Sequence, residues 1–362
     1  MAQEKMLSPR PATLGRMWAV TVEQAGSPAT FGWAEVPDPV AGPGEVLIQV
    51  AASAVNRADL LQAAGKYPPP PGASEILGME CSGTIAAVGA GVIDWQVGDQ
   101  VCALLAGGGY AEKVAVPAVQ VLPLPEGVDL VTAAALPEVT CTVWSNLAMT
   151  AGLRARQVVL IHGGSSGIGT MAIQVARQEG ATVAVTASRH TALDACRELG
   201  AHITIDYSKQ DFVEELLAAT DGHGADIILD LVGAKYLQRN ISALADGGRL
   251  VIIGMMGGTT TELDINTLMR KRAGIISTAL RSRPVSGSGS KADIVAEVRH
   301  RLWPMIDSGD VKPVVDTIID LPDVGAAHRR MAEGGHIGKI VLQVPKSGTA
   351  GSTGQAQATS RQ

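Results

Sequence analysis

In the segment Gln157–Gly180, QVVLIHGGSSGIGTMAIQVARQEG, the four glycines at 163, 164, 167 and 169 separate a β-branched, aliphatic run from an amphipathic one. Gly163, Gly164, Gly167 and Gly169 allow a sharp turn and a close backbone approach to a ligand. Val158 to Ile161 read as a strand covered on both faces. Ile168, Met171, Ala172, Val175 and Ala176 recur at helical spacing, so a helix begins inside the glycine run. The first amides of such a helix are unpaired, and they carry the positive end of its dipole. This arrangement suits the pyrophosphate of a dinucleotide. Gly164, Ser166, Gly167 and Ile168 are the expected contacts, the last three through their amides.

The next expected strand, Ala181 to Ala187, decides which dinucleotide. An NAD site places Asp or Glu where that strand ends, to hold the ribose hydroxyls. Here Ser188, Arg189 and His190 stand there, about twenty residues past Gly169, the spacing of the dinucleotide fingerprint. A guanidinium can grip a 2′-phosphate, so Arg189 points to NADPH; the plainer alternative is a solvated charge at the start of the next helix. Gly233, Gly254 and Met256 lie at the ends of the fourth and fifth expected strands, on the carboxyl edge where doubly wound sheets bind ligands.

Those contacts need a parallel sheet to hold them. From about Glu138 the pattern alternates between strand and helix, predicting helices near Ala192–Leu199, Gln210–Ala219 and Tyr236–Leu244. It predicts strands at His202–Ile205, Asp226–Val232 and Arg249–Gly254, making five parallel strands with crossover helices, an α/β doubly wound sheet. The apolar run at 273–280 could close its edge, and Ile275 and Ile276 there are a plausible dimer seam. From Met17 to about Pro137 short strands alternate with Pro/Gly turns, the texture of a mixed, barrel-like β domain. The segment from Lys291 to Val344 ends in GKIVLQV and is expected to return to that domain. The expected division is a disordered leader at 1–16, a discontinuous β-rich domain at 17–137 and 283–345, a dinucleotide-binding domain at 138–282, and a disordered Gly/Ser-rich tail at 346–362.

Composition narrows the partners. Of the 362 residues 46% are hydrophobic and 18% charged, which suits large cores. A net charge of −6 with no basic cluster argues against nucleic acid, and 3% aromatics leave few platforms for stacking bases. The four cysteines are scattered without a C-x-x-C pair, as in a reducing cytosol, and Cys141 reads as core. No run approaches the roughly 20 apolar residues of a membrane helix, so the expectation is a cytoplasmic protein with no membrane partner.

A β-rich domain interrupted by a Rossmann domain resembles the medium-chain dehydrogenase/reductase superfamily. The motifs include AASAVNRADL at 51–60, GKYPPPPGAS at 65–74, LGMECSGTIAAVG at 77–89, VGDQVCALLAGGGYAE at 97–112, AAALPE at 133–138 and the HGGSSGIG turn. Together they look like its quinone oxidoreductase branch, most closely the tumour-suppressor-inducible NADPH quinone oxidoreductases, with ALRSR at 279–283 and HIGKIVL at 336–342 adding to the match. The resemblance covers nearly all of the chain from Met17 to Val344. It implies a GroES-like β-rich catalytic domain, NADPH-dependent reduction of quinones or other conjugated carbonyls, and a homodimer or homotetramer. An enoyl-thioester or enone reductase shares fold and chemistry and stays open. So does a non-enzymatic NADPH-binding role, structural or RNA-binding, which some relatives have.

The superfamily's alcohol dehydrogenases hold zinc through two cysteines and a histidine. At the matching positions this chain carries Asn56, Met79 and Glu138, an amide, a thioether and one carboxylate, which do not make a zinc site. Without a Lewis acid a simple ketone accepts hydride poorly, whereas a quinone or enone spreads the added charge. Asn56 and Tyr67 are therefore the catalytic candidates. In related enzymes the matching Asn lines the active site, and the prolines at 68–71 make the loop after Tyr67 rigid. Their plainer readings are a turn Asn and a surface Tyr. By resemblance, Thr142 contacts the nicotinamide and Tyr207 sits beside the adenosine phosphate, while Leu280 and Arg281 are expected to close the nicotinamide side. Relatives carry a Lys just after the second strand; here it is missing, and Arg189 is the candidate to replace it. Glu80 and Glu138 read more readily as structural carboxylates than as catalytic ones.

Overall fold

In the computed structural model residues 15–345 are described; the expected tail and almost all of the expected leader lie outside them. Arg16, assigned to the leader by its sequence, instead opens the strand Arg16–Gln24, which pairs with Thr30–Pro37.

Six parallel strands form one sheet, in the order Ile203–Asp206, Thr182–Ala187, Val158–His162, Ala225–Asp230, Leu244–Ile252, Gly274–Ser277. Every residue of Val158–His162 is buried, which is why that strand reads as an unbroken apolar run. The sequence places the elements and their order, with ends displaced by a few residues; the fifth strand begins at Leu244 rather than Arg249. The apolar run at 273–280 does become the edge strand, as Gly274–Ser277. Helix Gly167–Gln178 buries Met171, Ala172, Ile173, Val175 and Ala176 in the largest core cluster.

A second, mixed sheet runs Val315–Asp320, Lys339–Gln343, Glu45–Ala54, Glu80–Val88, Gln100–Leu104, Val121–Pro123, with Lys113–Pro117 also on Glu45–Ala54. Lys339–Gln343 lies antiparallel to the end of Glu45–Ala54, so the last strand of the described residues is built into the sheet formed by strands between residues 45 and 123. It also touches the glycine turn, where Ser166 and Gly338 form an isolated parallel bridge. This double attachment places the site.

Candidate active site

The turn after Val158–His162 is held by its own hydrogen bonds. Ser166 N donates to Gly163 O at 3.0 Å. Ser166 Oγ donates to the same carbonyl at 2.8 Å and accepts from Gly169 N at 3.0 Å. Gly164 N is spent on Thr186 O at 3.0 Å. The expectation that Ser166 offers its amide outward is thereby corrected: Ser166 caps the helix and Gly164 packs it to the sheet. The Ile168 amide has no acceptor among the described residues. Close packing requires the glycines, since a Cβ on Gly169 would lie 2.3 Å from Gly163 O and one on Gly167 2.5 Å from Lys339 Cδ. The turn fits a pyrophosphate, with the Ile168 amide and the helix N-terminus as its donors.

Around this turn the other expected cofactor residues gather on the carboxyl edge. Arg189 is exposed, its guanidinium lies against Gly335, and it enters no ion pair among the described residues. Tyr207, 46% exposed, is tied by its amide to Ala187 O at 3.1 Å, directly beside the strand end that leads to Arg189. Gly233, at a φ of 77°, donates to the buried Asp230 carboxylate at 3.0 Å. Gly254 and Met256 follow the strand Leu244–Ile252, and Met256 is exposed.

At the other end of the turn lies a buried polar cluster. Lys339 Nζ donates to Asn56 Oδ1 at 2.6 Å and to Val55 O at 3.0 Å, and it pairs with Glu80 Oε1 at 2.8 Å. Asn56 Nδ2 donates to the same Glu80 oxygen at 2.8 Å. Glu80 Oε2 accepts from Glu138 N at 2.9 Å, and the Glu138 carboxylate accepts from Thr142 Oγ1 at 3.0 Å. Asp59 accepts from the Asn56 and Gly78 amides and from the Tyr110 hydroxyl. Asn56 is thus not a free donor facing the cleft, because both ends of its amide are engaged. It orients Lys339 against Glu80. Thr142 bonds a carboxylate rather than its own backbone.

One ammonium cannot neutralise three carboxylates in this low-dielectric setting. Burial pushes Glu138 up to about 7; Lys339 offsets part of the rise and Glu80 adds to it. Burial likewise raises Asp59 to about 6, against the pull of its amide donors. The cluster therefore reads as one ion pair, Lys339 with Glu80, and two carboxyls that hold their protons to higher pH than usual, Glu138 more so than Asp59. Lys339 is the central residue that sequence reasoning missed. Its signal was slight, a single cation opening the apolar strand KIVL.

Tyr67 is half-buried, and the Arg281 guanidinium sits 5.4 Å from its ring centroid. Arg281 also donates from Nε to Ala106 O at 2.8 Å and from Nη2 to Gln62 Oε1 at 2.7 Å. Arg281 thus braces the Tyr67 loop through Ala106 and Gln62, and its Nη1 is buried without a partner among the described residues. The Tyr67 hydroxyl makes no hydrogen bond among the described residues. Leu280, beside Arg281, is half-buried against the largest core cluster.

Zinc does not fit this cluster. Both Glu80 oxygens are committed to the amides of Asn56 and Glu138 and to Lys339, and a fixed ammonium lies against the donors a cation would need.

Comparison with known proteins agrees with this architecture. The alcohol dehydrogenase GroES-like domain family matches residues 42–126 and the zinc-binding dehydrogenase family residues 167–293. A Burkholderia 2-haloacrylate reductase is 31% identical over 90% of this chain and 98% of its own. A phenolphthiocerol synthesis polyketide synthase of Mycobacterium bovis is 34% identical over 94% of this chain, which spans only 16% of that protein. Among solved structures, a quinone oxidoreductase of Pseudomonas syringae superposes with a TM-score of 0.80 at 26% identity, covering 90% of this chain and 99% of that one. The CurK enoyl reductase gives 0.78 at 26%, covering 91% and 99%. With both domain families in order and a relative matched along almost its whole length, the chain belongs to the medium-chain dehydrogenase/reductase superfamily of oxidoreductases.

Proposed function

We propose that this oxidoreductase is a metal-independent, NADPH-dependent reductase of conjugated carbonyl compounds, with quinones as the first substrate class. The observation that carries the reading is the closed set Lys339–Asn56–Glu80–Glu138, whose donors are spent on one another and on Val55 O, leaving the proton held by Glu138 and no ligand set for a Lewis acid. Such a site suits an acceptor that delocalises its incoming charge. NADPH, when bound, supplies the hydride. The Ile168 amide and the turn would hold its pyrophosphate, Arg189 and Tyr207 the adenosine phosphate end, and Thr142 the nicotinamide end. The free Tyr67 hydroxyl is aimed by the Arg281 brace and donates to the oxygen that gains charge.

Glu138 favours a second reading. A reduced quinone collects its proton from solvent, but an enone or enoyl thioester needs one at carbon, and Glu138 holds one up to about pH 7. The names of the 2-haloacrylate reductase and the CurK enoyl reductase support this alternative, as that of the Pseudomonas enzyme supports the first. No helix among the described residues is long and apolar enough to cross a membrane, and we place the protein in the cytoplasm as a homodimer or homotetramer seamed at Gly274–Ser277.

NADPH oxidation measured with 1,2-naphthoquinone, methyl vinyl ketone and a crotonyl thioester decides the matter. Turnover of the quinone alone supports the first reading, and turnover of the thioester or enone the second. NADPH binding without oxidation by any of them would sink both and favour a non-enzymatic role.

A further inference from the structure

Behind the Tyr67 brace a cavity of about 710 Å³ opens between the loop Pro70–Ser74, the segment Leu105–Gly108 and the segment Arg281–Val285. Two of its lining cations are buried, Arg281 at 5% exposure and Lys291 at 4%. Arg281 has spent Nε and Nη2 on Ala106 and Gln62, and its Nη1 is buried without a partner. Lys291 enters no ion pair or side-chain hydrogen bond among the described residues. Arg283, also lining the cavity, bonds Gly289 O through Nη1 at 2.6 Å. Of the acidic groups nearby, Asp38 pairs with Lys113 through Oδ2 at 2.5 Å, Glu45 accepts from the Gly42 amide, and Asp59 and Glu75 act on Arg281 through their charge without forming an ion pair with it.

Burying an ammonium near a guanidinium, with neither of them in an ion pair among the described residues, costs free energy that an anion would return. Burial and the Arg281 charge together lower the Lys291 ammonium below its usual range. We propose that this cavity is an oxyanion site in which Lys291, Arg281 and Arg283 take a phosphate or carboxylate group. The anion comes either from the solution or from the distal end of an extended acceptor whose reacting end lies on the other side of Tyr67. The second source rests on the conjugated-carbonyl reading of the cleft; the site itself does not.

Inorganic phosphate titrated calorimetrically into the full chain, with the dinucleotide turn saturated by NADP⁺, should show saturable binding. Lys291→Met keeps the buried stem and should weaken it about tenfold or more, as should Arg283→Gln, while Lys291→Arg should restore it. Arg283→Gln, at a half-buried position, keeps the test open should Lys291→Met fail to fold. The source is read from the Michaelis constants of crotonyl-coenzyme A and its phosphate-free N-acetylcysteamine analogue. A preference for the coenzyme A ester that collapses in Lys291→Met assigns the anion to the acceptor; phosphate binding without such a preference assigns it to a free oxyanion. No saturable phosphate binding, or binding indifferent to Lys291 and Arg283, overturns the site. A failure of the cleft reading would appear separately, as absence of turnover with intact phosphate binding.

Discussion

Lys339 Nζ lies 2.6 Å from Asn56 Oδ1, across 283 positions of sequence, and the same ammonium pairs with the fully buried Glu80. The last strand of the described residues thereby closes the cluster opened by the third strand. Removing the cation leaves Glu80 charged and unpaired in the core. Lys339→Met is expected to cost about 3–5 kcal/mol of stability, the usual penalty for breaking a buried pair. Adding Glu80→Gln should recover part of it. Denaturant unfolding of the two variants checks this, and equal loss in both would dissociate Lys339 from Glu80.

Glu138 should separate the acceptor classes. With enoyl or enone acceptors, Glu138→Gln should lower the turnover number by about 10²–10⁴, the span of a positioned acid. With quinones it should change little. The wild-type rate on enones should fall as pH rises through about 7, where Glu138 loses its proton, and the variant should lose that limb.

The same carboxyl makes a stability prediction. Its folded pKa is raised above the unfolded value, so between the ordinary glutamate range and about 7 the native state holds more protons. Stability from this group is therefore full below that window and declines as pH rises through it. Asp59, raised to about 6, acts in the same direction. Melting temperatures of wild type and Glu138→Gln over this range should converge at low pH, with the wild type losing more as pH rises.

Arg189 follows the strand whose last residue, Ala187, holds the Tyr207 amide, and it enters no ion pair among the described residues, unlike Lys209, which is paired with Asp206. Arg189→Glu should raise the Michaelis constant for NADPH far more than that for NADH, because a 2′-phosphate loses its partner and meets a like charge. Equal effects on the two cofactors would remove Arg189 from the phosphate site.

Tyr67→Phe keeps the ring beneath Arg281 and deletes only the hydroxyl. Loss of a hydrogen bond to the developing oxyanion should cost about 1–2 kcal/mol of barrier. Unchanged turnover would reduce Tyr67 to a wall of the cleft.

Local pattern alone determined the strand, glycine turn and helix from Gln157 and the alternation of strands and helices that follows; the reading of Asn56, Met79 and Glu138 in place of zinc ligands came from the resemblance. The local elements are legible because period, β-branching and glycine spacing act between residues a few positions apart. What only the tertiary structure decided is where side chains find distant partners. Asn56, expected as a donor to the cleft, is turned onto Lys339 and Glu80. Arg281, expected at the cofactor, runs under Tyr67 to Gln62 and Ala106. No periodicity records a contact made when Lys339–Gln343 docks beside Glu45–Ala54 and against the turn at Ser166. A buried charge must take whatever counter-charge packing brings to it, and that choice is made in space, after the chain has folded.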